Sequence, residues 1–190
     1  MKIDPNSQAN QKAEKGKFEN KILTAGNKLF APVGVSYIKP RDKVILEITS
    51  VCIKDKENKG EEGALHRESF WLTPNASWKI ANWSIAMGNS DAFDSSDRED
   101  IEKIIANGVA FHGVVSIKKH NGYENRQIDS FYKAEELLDG DEVVITDEMD
   151  KLISTAEEAF PKIVEARKQK GVTFVSGGDT SSSHDDEIPF

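Results

Sequence analysis

A two-residue turn restricts the fold of this chain more than any other feature. Asn121-Gly122 separates two segments with the character of strands, Val109 to Lys119 and Tyr123 to Tyr132. An Asn-Gly pair between such segments favours the tight turn of a β-hairpin, because both residues tolerate a left-handed backbone. The sequence therefore predicts an antiparallel pair of strands over residues 109–132.

Three more strands are predicted before the hairpin. An apolar, β-branched segment begins at Leu29, and Val44 to Lys54 alternates and is rich in Val and Ile. Ala64 to Leu72 is the third segment, after a charged loop that runs from Lys54 to Gly63. Segments of this length and composition, bounded by turn-forming residues, are typical of strands.

Two helices are predicted between the third strand and the hairpin. In the first helix, three apolar residues recur at helical spacing: Trp78, Ala81 and Ile85. The second begins at a cap, Ser95 or Ser96, and ends at Asn107-Gly108. We expect Trp78 and Trp83 to pack the first helix against the strands.

The order of these elements predicts a mainly β fold with helices. Five strands with a helical insert after the third strand is the layout of an OB-fold five-stranded barrel, whose surface binds oligonucleotides. We expect this barrel in residues 27–134, after a flexible N-terminal arm over residues 1–26.

The remainder of the chain predicts a helical extension and a tail. Apolar residues recur at helical spacing from Asp147 to Lys170, which indicates an amphipathic C-terminal helix within an extension over residues 135–175. Pro161 should kink or split this helix. Residues 176–190 are expected to form a flexible Ser/Gly linker and a disordered acidic tail.

The net charge of −8 is divided unevenly along the sequence. Residues 1–134 have a net charge of +2, and residues 135–190 have −10. Cys52 is the only cysteine, which suits a reducing cytosol, and residues 1–17 are polar and rich in lysine, unlike a secretory signal. We expect a cytoplasmic protein in which a nearly neutral body, able to hold a local basic groove, carries an acidic arm.

The last six residues combine acidic and apolar side chains in the sequence Asp185-Asp186-Glu187-Ile188-Pro189-Phe190. A terminal Phe can fill an apolar pocket while the carboxylates meet a basic rim, so this tip has the parts of a short docking peptide. It resembles the C-terminal tip of bacterial single-stranded DNA-binding proteins. That resemblance implies recruitment of replication, recombination or repair enzymes.

The body carries a second resemblance, to a family of phage-encoded single-stranded DNA-binding proteins, over about residues 28–134. The residues that carry it are Phe70-Trp71-Leu72, Trp78-Lys79-Ile80-Ala81-Asn82-Trp83, Gly88, Phe111-His112-Gly113-Val114-Val115, Gly122-Tyr123 and Asn125-Arg126. The resemblance implies an OB-fold that acts in phage DNA replication or recombination, in the cytoplasm of a bacterial host.

Candidate DNA-binding residues follow from strand alternation, since aromatic rings can stack on bases and Lys or Arg can contact phosphates. Arg67 and Trp71 share one face of the third strand, whereas Phe70 and Leu72 on the other face belong to the core. Tyr132 shares a face with Arg126 if the last strand is regular. The full set of candidates is Lys54, Arg67, Trp71, Lys118, Lys119, Tyr123, Arg126 and Tyr132.

The sequence therefore predicts a protein that coats and protects single-stranded DNA and recruits enzymes through its tip. The alternative is an adaptor that docks replication or repair enzymes without binding DNA. A metal-dependent nuclease would rest on four acidic residues, Asp91, Asp94, Asp97 and Asp100, whose position at a helix start is better explained by capping and the helix dipole. We expect no catalytic activity, metal or cofactor, and no membrane contact; the apolar face of the 147–170 helix must pack on the barrel or on another copy.

Overall fold

The computed structural model describes residues 21–57, 60–89 and 97–176, so most of the predicted arm and the acidic tip lie outside the described residues. The strands are β1 (Gly26–Ile38), β2 (Ile45–Asp55), β3 (Leu65–Trp71), β4 (Phe111–His120) and β5 (Tyr123–Lys133). The helices are α1 (Ser77–Ala86), α2 (Arg98–Asn107), α3 (Ala134–Leu137) and α4 (Asp147–Gln169). The mainly β architecture with helices after the third strand is confirmed.

The strands form one antiparallel sheet in the order β3-β2-β1-β4-β5. The predicted hairpin is confirmed, since His120 pairs with Tyr123 across a two-residue turn. Asn121 and Gly122 have φ values of 48° and 81°, as a turn with two left-handed residues requires. The sequence of this turn therefore sets the register of β4 against β5.

The sheet curls until its two edge strands approach each other. Phe70 on β3 and Phe131 on β5 have ring centroids 6.0 Å apart, although these strands lie at opposite ends of the strand order. Phe111 contacts Phe131 on the same inner face, and Trp83 of α1 is fully buried against Phe70. The core therefore fills the inside of a curved sheet with α1 packed across one end.

Helix α1 buries a different face from the one that its sequence indicated. Its buried residues are Ile80, Trp83, Ser84 and Ala86. Trp83 packs as expected, but the expectation for Trp78 is wrong, because this side chain is 57% exposed and Ile85 is 47% exposed. The helix carries two apolar stripes, and the one through Trp83 packs against the core.

The C-terminal extension covers the outer face of β1 and β2. A second apolar cluster there joins the sheet to α3, the segment before α4, and α4; its buried members include Leu29, Val51, Ile53, Leu137 and Ala156. The Thr146 side chain accepts a hydrogen bond from the Met149 amide at the start of α4 (3.2 Å). Pro161 lies inside α4, which continues to Gln169, so the expected split at this residue does not occur.

After α4, the chain returns to the end of β1. The Lys39 amide donates to the Thr173 carbonyl, and the Val175 amide donates to the Tyr37 carbonyl, both at 3.0 Å. Leu23 near the start of the described chain is 3% exposed, so this residue of the predicted arm packs against the core. The extension and the sheet therefore form one packed unit.

Candidate nucleic-acid interface

The exposed face of β3 holds two of the predicted residues, Arg67 and Trp71. Burial alternates along β3 as expected, with Arg67 and Trp71 exposed and with His66, Glu68 and Phe70 buried. Trp71 is 46% exposed. A half-exposed indole anchored in a strand offers a face on which a base can stack.

Trp71 belongs to a row of apolar side chains that crosses the outer face of the sheet. Trp71 pairs with Ile45, Ile45 pairs with Ile38, and Ile38 forms an isolated bridge with Phe174. Residues paired across strands point to the same face. We call this the turn end of the sheet, because β1 ends and β2 begins there, and we call the opposite end, at Asn121-Gly122, the hairpin end.

Arg67 lies beside a partly buried ion pair between the sheet and α4. Arg167 of α4 donates from Nη1 to Glu47 Oε2 at 2.7 Å, and Arg67 Nε lies 3.9 Å from the other Glu47 oxygen. Burial and the charge of Arg167 lower the pKa of Arg67, against the opposing effect of Glu47. Two guanidinium groups thus share one carboxylate, and an anion such as a phosphate would relieve their repulsion.

Lys118, Lys119 and Tyr123 lie at the hairpin end, where Lys118 and Lys119 point to opposite faces because they are consecutive residues of β4. Tyr123 is 80% exposed, the most exposed of the large hydrophobic residues in the described chain. Lys118 lies 3.8 Å from Asp129, and Lys119 lies 3.5 Å from Glu124. Each lysine therefore already has a carboxylate neighbour, although exposed pairs of this kind contribute little to stability.

A bulge in β5 separates Arg126 from Tyr132. Val114 pairs with Ser130 but Val115 pairs with Ile128, which leaves Asp129 as an extra residue. Since a bulge shifts the alternation by one, Arg126 lies on the face of Ile117 and Tyr132 lies on the opposite face, beside His112. The expectation that the two residues share a face is wrong because the strand is not regular.

The surroundings of Arg126 differ from those expected of a phosphate ligand. Its Nε donates to the Leu23 carbonyl at 2.7 Å, and its Nη2 donates to Glu124 at 3.0 Å. The bond to Leu23 holds the N-terminal segment against β5, and the bond to Glu124 lies within β5. Tyr132 is 43% exposed, and its ring centroid lies 5.3 Å from that of His112, so it faces solvent on a separate part of the surface.

Lys54 lies near the far end of β2 from Trp71. It is half-buried and lines a groove whose other wall is formed by the segment after α3. That wall contributes carboxylates, including Asp139, Asp141 and Glu142. An acidic wall repels a phosphate backbone, so the structure does not bring Lys54 together with Arg67 and Trp71.

Glu68 joins the two edge strands where no ladder of paired residues connects them in the described chain. Its Oε2 accepts from the Ile128 amide of β5 at 2.9 Å and lies 2.7 Å from His66 Nε2, while its Oε1 accepts from Lys79 of α1. Burial alone would raise the pKa of Glu68, but the hydrogen bond from His66 and the charge and hydrogen bond of Lys79 outweigh it and lower the pKa. A charged side chain therefore closes this seam between β3 and β5.

The acidic residues that suggested a nuclease fall partly outside the described chain. Asp91 and Asp94 lie outside it, Asp97 is the residue before α2, and Asp100 is in the first turn of α2. Within residues 21–57, 60–89 and 97–176, no group of three His, Cys, Asp or Glu side chains is placed to hold a metal ion. No helix within the same ranges has the length and apolar character needed to span a membrane.

Comparisons with protein-family models and with curated proteins find no match. No protein-family model matches the chain, and no curated protein matches it in sequence. The fold defines the class of the protein as a curled, five-stranded antiparallel sheet with helices.

Proposed function

We propose that the chain folds as a partly open OB-fold barrel and binds single-stranded DNA. The strand order β3-β2-β1-β4-β5 becomes the OB-fold order when β3 closes against β5, and the contacts of Phe70 with Phe131 and of Glu68 with Ile128 bring these strands together. The position of α1 between β3 and β4 agrees with the same fold. In an OB-fold, the face of strands 2 and 3 is a nucleic-acid surface. Here the C-terminal extension covers the outer face of β2, so β3 carries the exposed part of this surface.

The observation that carries the proposal is that Trp71 and Arg67 share the exposed face of β3. Binding of single strands without sequence preference needs an aromatic face for a base and a cation for its phosphate, and stacking contributes about 1–3 kcal/mol per base. Trp71 and Arg67 lie four residues apart in sequence on one face of one strand, with Ser69 between them. Such binding needs no cofactor and no chemical step.

The biological role that follows is the coating and protection of single strands during phage DNA replication or recombination. The tip Asp185–Phe190 would recruit partner enzymes, and this part of the proposal rests on its resemblance to the tips of bacterial single-stranded DNA-binding proteins. The acidic tip and the basic β3 face are then two separate binding elements.

A gel shift at low salt tests the proposal, with a single-stranded oligonucleotide compared against the same sequence as a duplex. We expect the single strand to be retarded at a lower protein concentration than the duplex, because only unpaired bases can stack on Trp71. Equal retardation of both, or none of either, would refute it.

The adaptor without DNA affinity is the second candidate. It is favoured by the exposed stripe of Trp78 and Ile85 on α1, which is the kind of apolar surface that partners cover. Removal of residues 185–190 separates the two candidates. A DNA-binding protein keeps or gains DNA affinity when these three carboxylates are lost, whereas an adaptor loses partner binding and has no DNA affinity to keep.

A further inference from the structure

The turn end of the sheet gathers cations that are distant in the sequence. Lys39, Arg41 and Lys43 lie in the short connection between β1 and β2, and all three are exposed. Lys168 and Lys170 lie at the end of α4 and are also exposed. The hydrogen bond from the Lys39 amide to the Thr173 carbonyl (3.0 Å) holds these two segments together.

Residues after α4 hold the end of this helix against the sheet. Phe174 bridges to Ile38, and the Arg167 guanidinium and the Lys168 ammonium lie over its ring, at 5.3 Å and 5.8 Å from the centroid. Arg167 is also held by Glu47 on β2. The last turn of α4 is therefore anchored on the sheet, and Lys168 is presented beside the β1–β2 connection.

The local charge is opposite to that of the whole chain. We define the turn-end patch as Lys39, Arg41, Lys43, Arg67, Lys168 and Lys170. With Arg167 it holds seven cations, while the whole chain has a net charge of −8. The same segments hold four carboxylates, Asp42, Glu47, Glu68 and Glu165, of which Glu68 is buried on the other face of β3 and paired with Lys79. A favourable interaction with the α4 dipole accounts for cations in its last turn, but it gives no reason for them to meet those of the β1–β2 connection and β3.

We propose that the turn-end patch binds the phosphodiester backbone of single-stranded nucleic acid, and that the last turn of α4 supplies phosphate contacts next to Trp71. This inference rests on the proposed function and adds a binding element to it, since α4 lies outside the part of the chain that resembles phage single-stranded DNA-binding proteins. The row from Phe174 through Ile38 and Ile45 to Trp71 places the base-stacking side chain and the cations of α4 at the same end of one face.

The salt dependence of affinity measures phosphate contacts directly. Each cation that binds a phosphate of a single strand adds about 0.7 to the slope of log affinity against log salt concentration. The slope does not depend on the fraction of active protein, so a partly misfolded variant cannot imitate the loss of a contact.

The test is the double variant Lys168→Gln with Lys170→Gln in the full chain, titrated against a dye-labelled thymidine oligonucleotide of about 16 nucleotides. We expect the slope to fall by about 1.4, which is roughly a 20-fold weaker affinity at about 0.1 M salt. The matched control is Lys151→Gln with Lys162→Gln, which removes the same charge from exposed positions of the same helix. The control should keep the slope of the unmodified chain.

The possible results separate this inference from the function on which it rests. The unmodified chain can bind while the Lys168/Lys170 variant keeps its slope, or while the slope falls equally in both variants. In either case the turn-end patch does not contact the phosphates, and the proposed function survives. If the unmodified chain does not bind the oligonucleotide, both fail. A gain in affinity in the Lys168/Lys170 variant would mean that the patch holds the chain's own acidic tip, and it would overturn the inference.

Discussion

The two ends of the sheet present similar side chains to solvent but surround them differently. At the hairpin end, Lys118, Lys119 and Arg126 each lie within 4 Å of a carboxylate, and Tyr123 is the exposed aromatic residue. At the turn end, Arg67 and Arg167 share the single carboxylate of Glu47.

This difference decides which end suits a phosphate backbone. A phosphate at the hairpin end must compete with carboxylates that already neutralise the cations, whereas a phosphate at the turn end meets an excess of positive charge. The presence of Lys and an aromatic residue is therefore a weaker sign of a binding surface than the charge that remains after local pairing.

Loss of the Glu68 carboxylate should give the largest effect, a fall in the free energy of unfolding. Glu68 joins β3 in the half of the sheet with the turn-end residues to β5 in the half with the hairpin end. Glu68→Gln keeps an acceptor for the Ile128 amide but leaves the Lys79 charge without its partner, so we expect the free energy of unfolding to fall by about 2–3 kcal/mol. Urea denaturation monitored by tryptophan fluorescence measures it.

The pH dependence of stability shows whether the ionised Glu68 carboxylate stabilises the fold. The pKa of Glu68 is lowered from 4.5 in the folded chain, so its contribution is present above about pH 4.5 and is lost as the pH falls below that value. The Glu68→Gln variant should lose less stability than the unmodified chain over this acidic range. A parallel decline in both would contradict the role assigned to Glu68.

Removal of one aromatic side chain from each end compares their stacking. Trp71→Ala should weaken binding of a single-stranded oligonucleotide by about 2 kcal/mol, roughly 30-fold, and Tyr123→Ala by about 1 kcal/mol, roughly fivefold. The reason is that Trp71 has the larger ring and the more positive surroundings. Fluorescence anisotropy measures both, and Trp78→Ala, at a similarly exposed indole on α1, serves as the control. The reverse order would move the main contact to the hairpin end.

A substitution at Gly34 tests how closely α4 packs on the sheet. A Cβ atom at this position would lie 2.4 Å from a ring carbon of Phe160, so Gly34→Ala should lower the free energy of unfolding by about 1–2 kcal/mol. Phe160→Ala in the same chain removes the clash, and the double variant should be more stable than the sum of the single changes predicts. Thermal unfolding provides the comparison, and simple additivity would show that the two residues do not touch.

The smallest effect is expected from the lysines of the hairpin end. Lys118→Gln with Lys119→Gln should lower the slope of log affinity against log salt by less than about 0.7, an affinity loss under about fivefold at 0.1 M salt. Asp129 and Glu124 already neutralise these lysines. A slope change as large as that expected for Lys168 and Lys170 would remove the distinction between the two ends.

Local signals predicted the parts of the structure that depend on neighbouring residues. Asn121-Gly122 fixed the hairpin, and the alternation around Phe70 predicted the exposed positions of Arg67 and Trp71. The bulge at Asp129 was not predictable, because no residue type there marks it and its effect is a change of alternation. As a result, the predicted common face of Arg126 and Tyr132 was wrong.

Features that depend on distant residues were missed. Helix α1 has two apolar stripes, and only the packed sheet selects the one with Trp83 over the one with Trp78. The turn-end patch joins Lys39 to Lys168, residues far apart in sequence, and α4 lies in the part of the sequence with the greatest excess of acidic residues. Arg167 and Lys168 in its last turn, and Lys170 just after it, become meaningful only when that end of the helix lies beside β1.

The sheet should open more easily at the seam that Glu68 closes than at its centre. β1 is hydrogen-bonded to β2 on one side and to β4 on the other, so its amides exchange with solvent deuterium only when a large part of the sheet comes apart. Across the seam, by contrast, the Ile128 amide depends on one carboxylate, so loss of that single hydrogen bond leaves it without its acceptor. Isotope exchange should therefore begin along β5, and the sheet can open there while its centre stays intact.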